Sequence, residues 1–243
     1  MTWRSLETGD GSTTLVHPVH GEAFHSRAGA WEEARERYAR ACGLPSFRGR
    51  TFRLLDVGTG LGLNLAAAIE ALEGTGARLE AVTLERDATV VEAGLSLPQP
   101  PELSPWLAEV RARLASGSIR LVLGDARQTL PALDPSLRFD AVFLDPFSPR
   151  VEPELWSPDF LAEVARRMAP GSLLSTYSAA TAVRAGLLAA GLRVGPGGRV
   201  GTKSEGTLAS PDRFLESFDD RARRRIERRS AGLSPAGRLP PVP

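Results

Sequence analysis

The chain has 243 residues, 42% of them hydrophobic, with Lys+Arg 30 against Asp+Glu 29 and a formal net charge of +1. That size suits one α/β domain with an ordinary core and leaves no room for a second catalytic domain, and the balanced charge lacks the overall excess of a strongly basic nucleic-acid binder. A single cysteine, Cys42, excludes an internal disulfide, no apolar run could span a bilayer, and the N-terminus shows no secretory pattern, so a cytoplasmic protein with neither membrane nor metal partner is expected.

The opening segment predicts a short strand over Thr13 to Val16 and an amphipathic helix from about Ala28 to Cys42, stopped by Gly43 and Pro45. The apolar runs "FRLLDVG", "RLEAVTLER", "IRLVLGD", "FDAVFLDP" and "GSLLSTYS" then alternate with helical stretches, the signature of a parallel sheet covered on both faces. Between the second and third runs, "DATVVEAGLSLPQPPELSPWLAEVRARLASGS" predicts two helical pieces joined by a proline-rich turn. Past Ser210 the arginine block "DDRARRRIERRS" and the closing prolines predict a frayed helix and a flexible tail. The expected organisation is an N-terminal extension over residues 1–50 that covers the ligand site, a catalytic domain over 51–211, and a basic tail over 212–243.

In "DVGTGLG" the first strand runs into Asp56 and then into Gly58, Gly60 and Gly62. Glycines in the first strand-to-helix loop of a doubly wound sheet let the backbone approach a ligand closely. The spacing departs from the G-x-G-x-x-G of dinucleotide sites, since Leu63 and Asn64 follow Gly62, and the acid before the first glycine favours the D/E-x-G-x-G-x-G loop of S-adenosylmethionine sites. Tight packing of the strand on the helix is the alternative reading of such a loop.

Later strand ends agree with a cofactor site. Glu85, ending "VTLE", offers an acceptor for two ribose hydroxyls, although a plain surface carboxylate would look the same. Asp125, followed by Ala126 in "LVLGDAR", stands where a side chain meets the exocyclic amine of adenine, or simply caps the next helix. At the fourth strand end Asp145, Pro146 and Phe147 form "DPF", which resembles the D/N-P-P-Y/F loops of methyltransferases acting on amines. There a carboxylate or amide and a backbone carbonyl grip the nucleophilic nitrogen; a rigid turn capping the next helix is the alternative.

The longer string "DAVFLDPFSPRVEPELW" is similar to the D-x-x-F-L-D-x-F-x-P-x-x-N-P-x-x-W block of the MnmC-like family, the methyltransferase component of tRNA 5-methylaminomethyl-2-thiouridine biosynthesis. "GEAFHSRAGAWEEARERY", "STYSAATAVRAGLLAAGLRV" and "GTKSEGTLAS" resemble three further segments, so the likeness spans roughly residues 10 to 210. Glu152 replaces the family's usual Asn and Val151 a frequent Lys, so loop contacts or substrate differ here. The resemblance implies a Rossmann-like class I fold, with a mostly parallel seven-stranded sheet and helices on both faces, in the single-domain form without the flavin oxidase.

It further implies transfer of a methyl group from S-adenosylmethionine to the aminomethyl group of a tRNA wobble uridine, made available by a separate flavin-dependent or GTPase-type enzyme. The implied catalytic residues are Asp145, Pro146 and Phe147. Cofactor contacts fall on Asp56, Gly58, Thr59, Gly60, Gly62, Asn64, Glu85, Asp125, Ala126 and Asp145, with His25 and Ser26 folding over the methionine end. Phe147, Trp156, Arg184 and Lys203, with Arg199, are candidates for the RNA, against the bland readings of core packing for the tryptophan and solvated charge for the cations. Two rivals remain at this point: an aminopropyl or methyl transferase acting on small amines, of the spermidine synthase kind, and a non-catalytic Rossmann-like binding module.

Overall fold

The computed structural model describes residues 3–198, 200 and 205–233. Two short strands, β1 (Arg4–Glu7) and β2 (Thr13–Val16), pair antiparallel with Arg4 opposite Val16. Helix α1 (Ala30–Glu33) runs directly into a π-helical stretch, Ala34–Arg40. Then follow β3 (Thr51–Val57), α2 (Leu63–Leu72), β4 (Arg78–Glu85), α3 (Ala88–Ser96), α4 (Ser104–Ser116), β5 (Ile119–Leu123), α5 (Ala126–Thr129) and β6 (Phe139–Leu144). The remaining elements are α6 (Pro158–Arg166), β7 (Met168–Thr176), α7 (Thr181–Ala189), β8 (Arg193–Pro196), β9 (Thr207–Ser210) and α8 (Asp220–Ala231).

Seven strands form one sheet in the order β5-β4-β3-β6-β7-β9-β8. β5 to β7 pair parallel, and only β9 runs against its neighbours. Strands covered on both faces must be apolar on both, which is why Leu54 and Leu55 in β3 and Ala141 to Leu144 in β6 read as unbroken hydrophobic runs and are fully buried. One face packs against α1, its π extension, α2 and α4, and the other against α6 and α7. From β3 the chain winds outward through β4 to β5, then returns to the opposite side of β3 as β6. That reversal leaves a crevice beyond the carboxyl ends of β3 and β6.

Both terminal segments differ from expectation. Leu15, Trp31, Tyr38 and Leu44 of the N-terminal extension share one core cluster with Phe52 and Leu65, so this segment is built into the fold and not only laid beside the ligand site. The described part of the segment after Ser210 is not a free tail: α8 is capped by Asp219, whose carboxylate accepts from the Ala222 amide at 2.8 Å, and Ile226 is 3% exposed against α7, while the closing prolines lie outside the described residues. One isoleucine among arginines shows no periodicity, so its burial was invisible in the pattern. Among the described residues no helix is long and apolar enough to cross a membrane.

Candidate active site

A cavity of about 640 Å³, within the usual size range for small-molecule sites, opens at the carboxyl ends of β3 to β6. Gly58 and Gly60 after β3, Glu85 at the end of β4, Asp125 and Ala126 after β5, and Asp145, Pro146 and Phe147 after β6 all line it. Gly58 has φ +87°, and an added Cβ would lie 2.7 Å from the Asp145 carbonyl oxygen. Only glycine lets the β3 and β6 ends approach this closely. The Gly60 amide donates to Glu85 Oε2 at 2.9 Å, tying the glycine loop to β4.

Gly62 has a different task from the one expected. It opens α2 with φ +83°, a left-handed turn that favours glycine, and faces Leu95, Leu107 and Val110 at ordinary contact distance, away from the cavity. Asp56, Thr59 and Asn64 likewise stand behind the cavity wall instead of in it. Thr59 Oγ1 lies 2.5 Å from Thr83 Oγ1, which donates to Asp56 Oδ2 at 2.7 Å. Burial pushes the Asp56 carboxyl up to about 7 against the opposing bond from Thr83.

Asp145 is held by side chains. The Tyr38 hydroxyl donates to its Oδ1, and Asn64 Nδ2 donates to its Oδ2 at 2.8 Å. Burial and the nearby Glu33 carboxylate hold Asp145 well above the usual carboxylate range, while these two bonds pull the other way. Tyr38 belongs to the π-helical stretch, a geometry often found at functional sites. The buried Asp56 Oδ1 and Asn64 Oδ1 have no hydrogen-bond partner, which leaves two unused acceptors beneath the glycine loop.

Glu85 and Asp125 are held by backbone. Glu85 Oε1 accepts from the Arg86 and Asp87 amides at 2.7 and 3.0 Å, and burial raises its pKa against these bonds. Asp125 caps α5 by accepting from the Arg127 amide at 2.9 Å and pairs with the Arg127 guanidinium, which holds its carboxyl below the usual range. Asp125 therefore caps the helix and lines the cavity at the same time.

The N-terminal segment closes one side. His25 and Ser26 line the cavity; His25 Nδ1 lies 3.2 Å from Thr14 Oγ1, and the Ser26 amide donates to Glu33 Oε2 at 2.9 Å. The Phe147 ring packs against Phe24, His17 and His20 with centroids 4.9, 5.3 and 5.7 Å away. Its amide donates to Glu152 Oε2 at 2.9 Å, so the residue that departs from the family pattern fixes the loop. Tyr177 donates to the Pro146 carbonyl at 3.0 Å.

Two expected RNA contacts are corrected. Trp156 is 6% exposed in the core beside Phe160, and its Nε1 donates to the Phe147 carbonyl at 2.8 Å, so it supports the loop from behind. Arg184 is 6% exposed and bonds Thr207 Oγ1, the Gly206 carbonyl and Glu205, joining α7 to β9. Lys203 and Arg199 lie outside the described residues. Tyr38, Glu33, Tyr177, His17 and His20 were missed. "GEAFHSRAGAWEEARERY" held the signal for Glu33 and Tyr38, but an amphipathic helix gives no sign that one of its inward residues meets a carboxylate 107 positions away.

A glycine loop followed by acids at successive strand ends, on a sheet of this order, defines an S-adenosylmethionine-dependent methyltransferase. Residues 99–212 match a family described as S-adenosyl-L-methionine-dependent methyltransferase. The crystal structure of MnmC2 from Aquifex aeolicus is similar to this chain with a TM-score of 0.81 and 30% identity, over 93% of this chain and 75% of that one. The tRNA 5-methylaminomethyl-2-thiouridine biosynthesis bifunctional proteins MnmC of Aromatoleum aromaticum and Chromobacterium violaceum are 38% and 34% identical over 204 and 221 residues. Those alignments take in 76% and 79% of this chain but 31% and 33% of the relatives, so the chain spans about a third of their length. The chain belongs to the MnmC-like family of S-adenosylmethionine-dependent methyltransferases. The residues fit that cofactor: Gly58 and Gly60 leave backbone bare at the cavity wall, Glu85 offers a fixed acceptor for ribose hydroxyls, and Glu33 and Asp145 suit a sulfonium and an ammonium.

Proposed function

We propose that this chain methylates the primary amine of a 5-aminomethyl uridine at the wobble position of tRNA, the amine being supplied by a separate flavin-dependent or GTPase-type enzyme. The observation that carries the reading is the Asp145–Pro146–Phe147 turn, set against the glycine loop with its carboxylate fixed by Tyr38 and Asn64. The names of the bifunctional relatives support the choice of substrate.

S-adenosylmethionine supplies an electrophilic methyl group on a sulfonium. Glu85 accepts from the ribose hydroxyls, Asp125 and Ala126 face the adenine, and His25 and Ser26 close over the methionine end. A primary amine near lysine's reference pKa of about 10.4 is mostly protonated at neutral pH and has no lone pair to offer. Asp145 draws such an ammonium into the cavity, and once the proton has passed to water its carboxylate and the Pro146 carbonyl hold the free amine in line. Phe147 stacks on the uracil, with Phe24 and the histidines behind it.

The test is transfer of labelled methyl from S-adenosylmethionine to tRNA carrying aminomethyl uridine, followed by nucleoside analysis. Label is expected in 5-methylaminomethyl uridine. Label on a free polyamine with none on tRNA would overturn the proposal.

A further inference from the structure

We propose that the outer face of α8 is a docking surface for the phosphate backbone of RNA. The inference rests on the tRNA reading above and names the surface that would hold the body of the substrate outside the cavity.

The twelve residues of α8 hold six arginines against two acids, whereas the whole chain carries a formal net charge of only +1, so the rest of the molecule is net acidic. The net positive charge is concentrated on this one element. Arg223 pairs with Asp220 and Glu227, but Arg221, Arg224, Arg225, Arg228 and Arg229 are exposed and have no ion-pair partner among the described residues. At about 100° per residue these five fall within an arc of roughly 140°, and Arg221 and Arg228 are about 10 Å apart along the axis.

The helix is fixed in place. Ile226 buries its side chain against α7, Asp219 caps the first turn, and Phe218, just ahead of that cap, lies under the Arg184 guanidinium at 4.2 Å from ring centroid to Cζ. Arg225 comes near enough to contribute to the depressed pKa of Arg184, though burial of Arg184 is the larger cause. Arg184 sits in the first turn of α7, which starts five residues past the end of β7, at the carboxyl edge of the sheet where the cavity opens. Helix α8 thus packs on α7, whose first turn lies at that edge.

Charge selects the partner. A bilayer-binding basic helix needs an apolar face to insert, and here the one large apolar side chain of α8 is spent on α7. What remains outward is a row of planar guanidiniums, which suit phosphate oxygens.

The experiment compares the wild type with a quadruple variant, Arg221→Gln, Arg224→Gln, Arg225→Gln and Arg228→Gln, and with Arg223→Gln as control. The quadruple variant should keep its melting temperature and its affinity for S-adenosylmethionine. Its KM for full-length tRNA should rise about 10- to 100-fold at physiological salt, and the slope of log affinity against log salt should shrink by about 3, while the control changes neither. If the wild type methylates tRNA and the quadruple variant matches it in KM and salt slope, this proposal falls and the substrate reading stands. If the wild type neither binds nor methylates tRNA, the substrate reading falls and takes this one with it. Binding to anionic phosphatidylserine vesicles that the variant loses, with unaltered tRNA kinetics, would also overturn it.

Discussion

At the ends of β4 and β5, Glu85 and Asp125 are gripped by amides within two residues of themselves or by the adjoining glycine loop, whereas at the end of β6 Asp145 is gripped by two side chains from distant elements, Tyr38 and Asn64. Backbone amides are positioned by the strand-to-helix turn itself, so Asp125 needs nothing from the rest of the molecule and Glu85 only the neighbouring glycine loop. The Asp145 network exists only after the π-helical stretch and α2 have packed on the sheet. Its burial beside Glu33 also lifts its pKa, while Asp125 is held low by Arg127. Fixed acceptors with little freedom suit recognition of a nucleoside, and a buried carboxyl with a displaced pKa suits chemistry.

The contrast is broken most directly at Asp145. Asp145→Asn keeps the shape and removes the charge, so methyl transfer should fall by a factor on the order of 10² to 10⁴, with cofactor affinity nearly unchanged. Single-turnover transfer at saturating cofactor measures the first and calorimetry the second. Raising the pH should recover part of the rate by supplying free amine. Loss of rate matched by loss of cofactor binding would place Asp145 with the recognition carboxylates and erase the distinction.

Glu85→Ala should show the reverse pattern. Unpaired ribose hydroxyls and a released Gly60 amide should weaken S-adenosylmethionine binding by roughly 1 to 3 kcal/mol, with kcat at saturation little affected. An unchanged dissociation constant would reduce Glu85 to a brace for the loop.

Tyr38→Phe probes the support beneath Asp145. The hydroxyl bond lowers the pKa of a carboxyl that burial has raised, so its removal raises that pKa further. The carboxylate then forms only at higher pH, and the acid limb of the rate profile should move upward. The expected loss is about tenfold near neutral pH, in line with about 1.5 kcal/mol for a hydrogen bond to a charged group, and should shrink in alkali. A uniform loss at every pH would mean that Tyr38 only packs.

These two kinds of site were unequally legible. Glu85, Asp125 and the glycines could be read because a strand ending in an acid or a glycine is a local pattern, and the parallel sheet followed from the alternation of apolar runs. Asp145 was legible for the same reason. Tyr38 was not, because its role lies in a contact between residues 107 positions apart, and a helical tyrosine among apolar neighbours reads as core. Gly62 misled for the opposite reason: it completes the loop pattern, yet what requires glycine there is its φ of +83° at the start of α2, on the side of the turn that faces Leu95, Leu107 and Val110. Trp156 and Arg184 showed type without burial, and burial decided both.

The smallest effects are expected at Asp125, where two roles share one carboxylate. Asp125→Asn keeps an oxygen that can cap α5 and accept from an adenine amine, and loses only a pairing with exposed Arg127, so stability and cofactor affinity should both stay within experimental error. Asp125→Ala removes the oxygen. The lost cap should lower stability by about 0.5 to 1 kcal/mol, at the low end of the usual range because α5 is a single turn. Denaturation of the ligand-free protein reads that term alone. The adenine contact is read separately by titrating S-adenosylmethionine and an analogue whose base lacks the exocyclic amine: if Asp125 meets that amine, Asp125→Ala weakens the natural cofactor by a few fold and leaves the analogue unaffected. Equal weakening of both would mean that the substitution acts only through the turn, and Asp125 would then be a helix cap that happens to border the cavity.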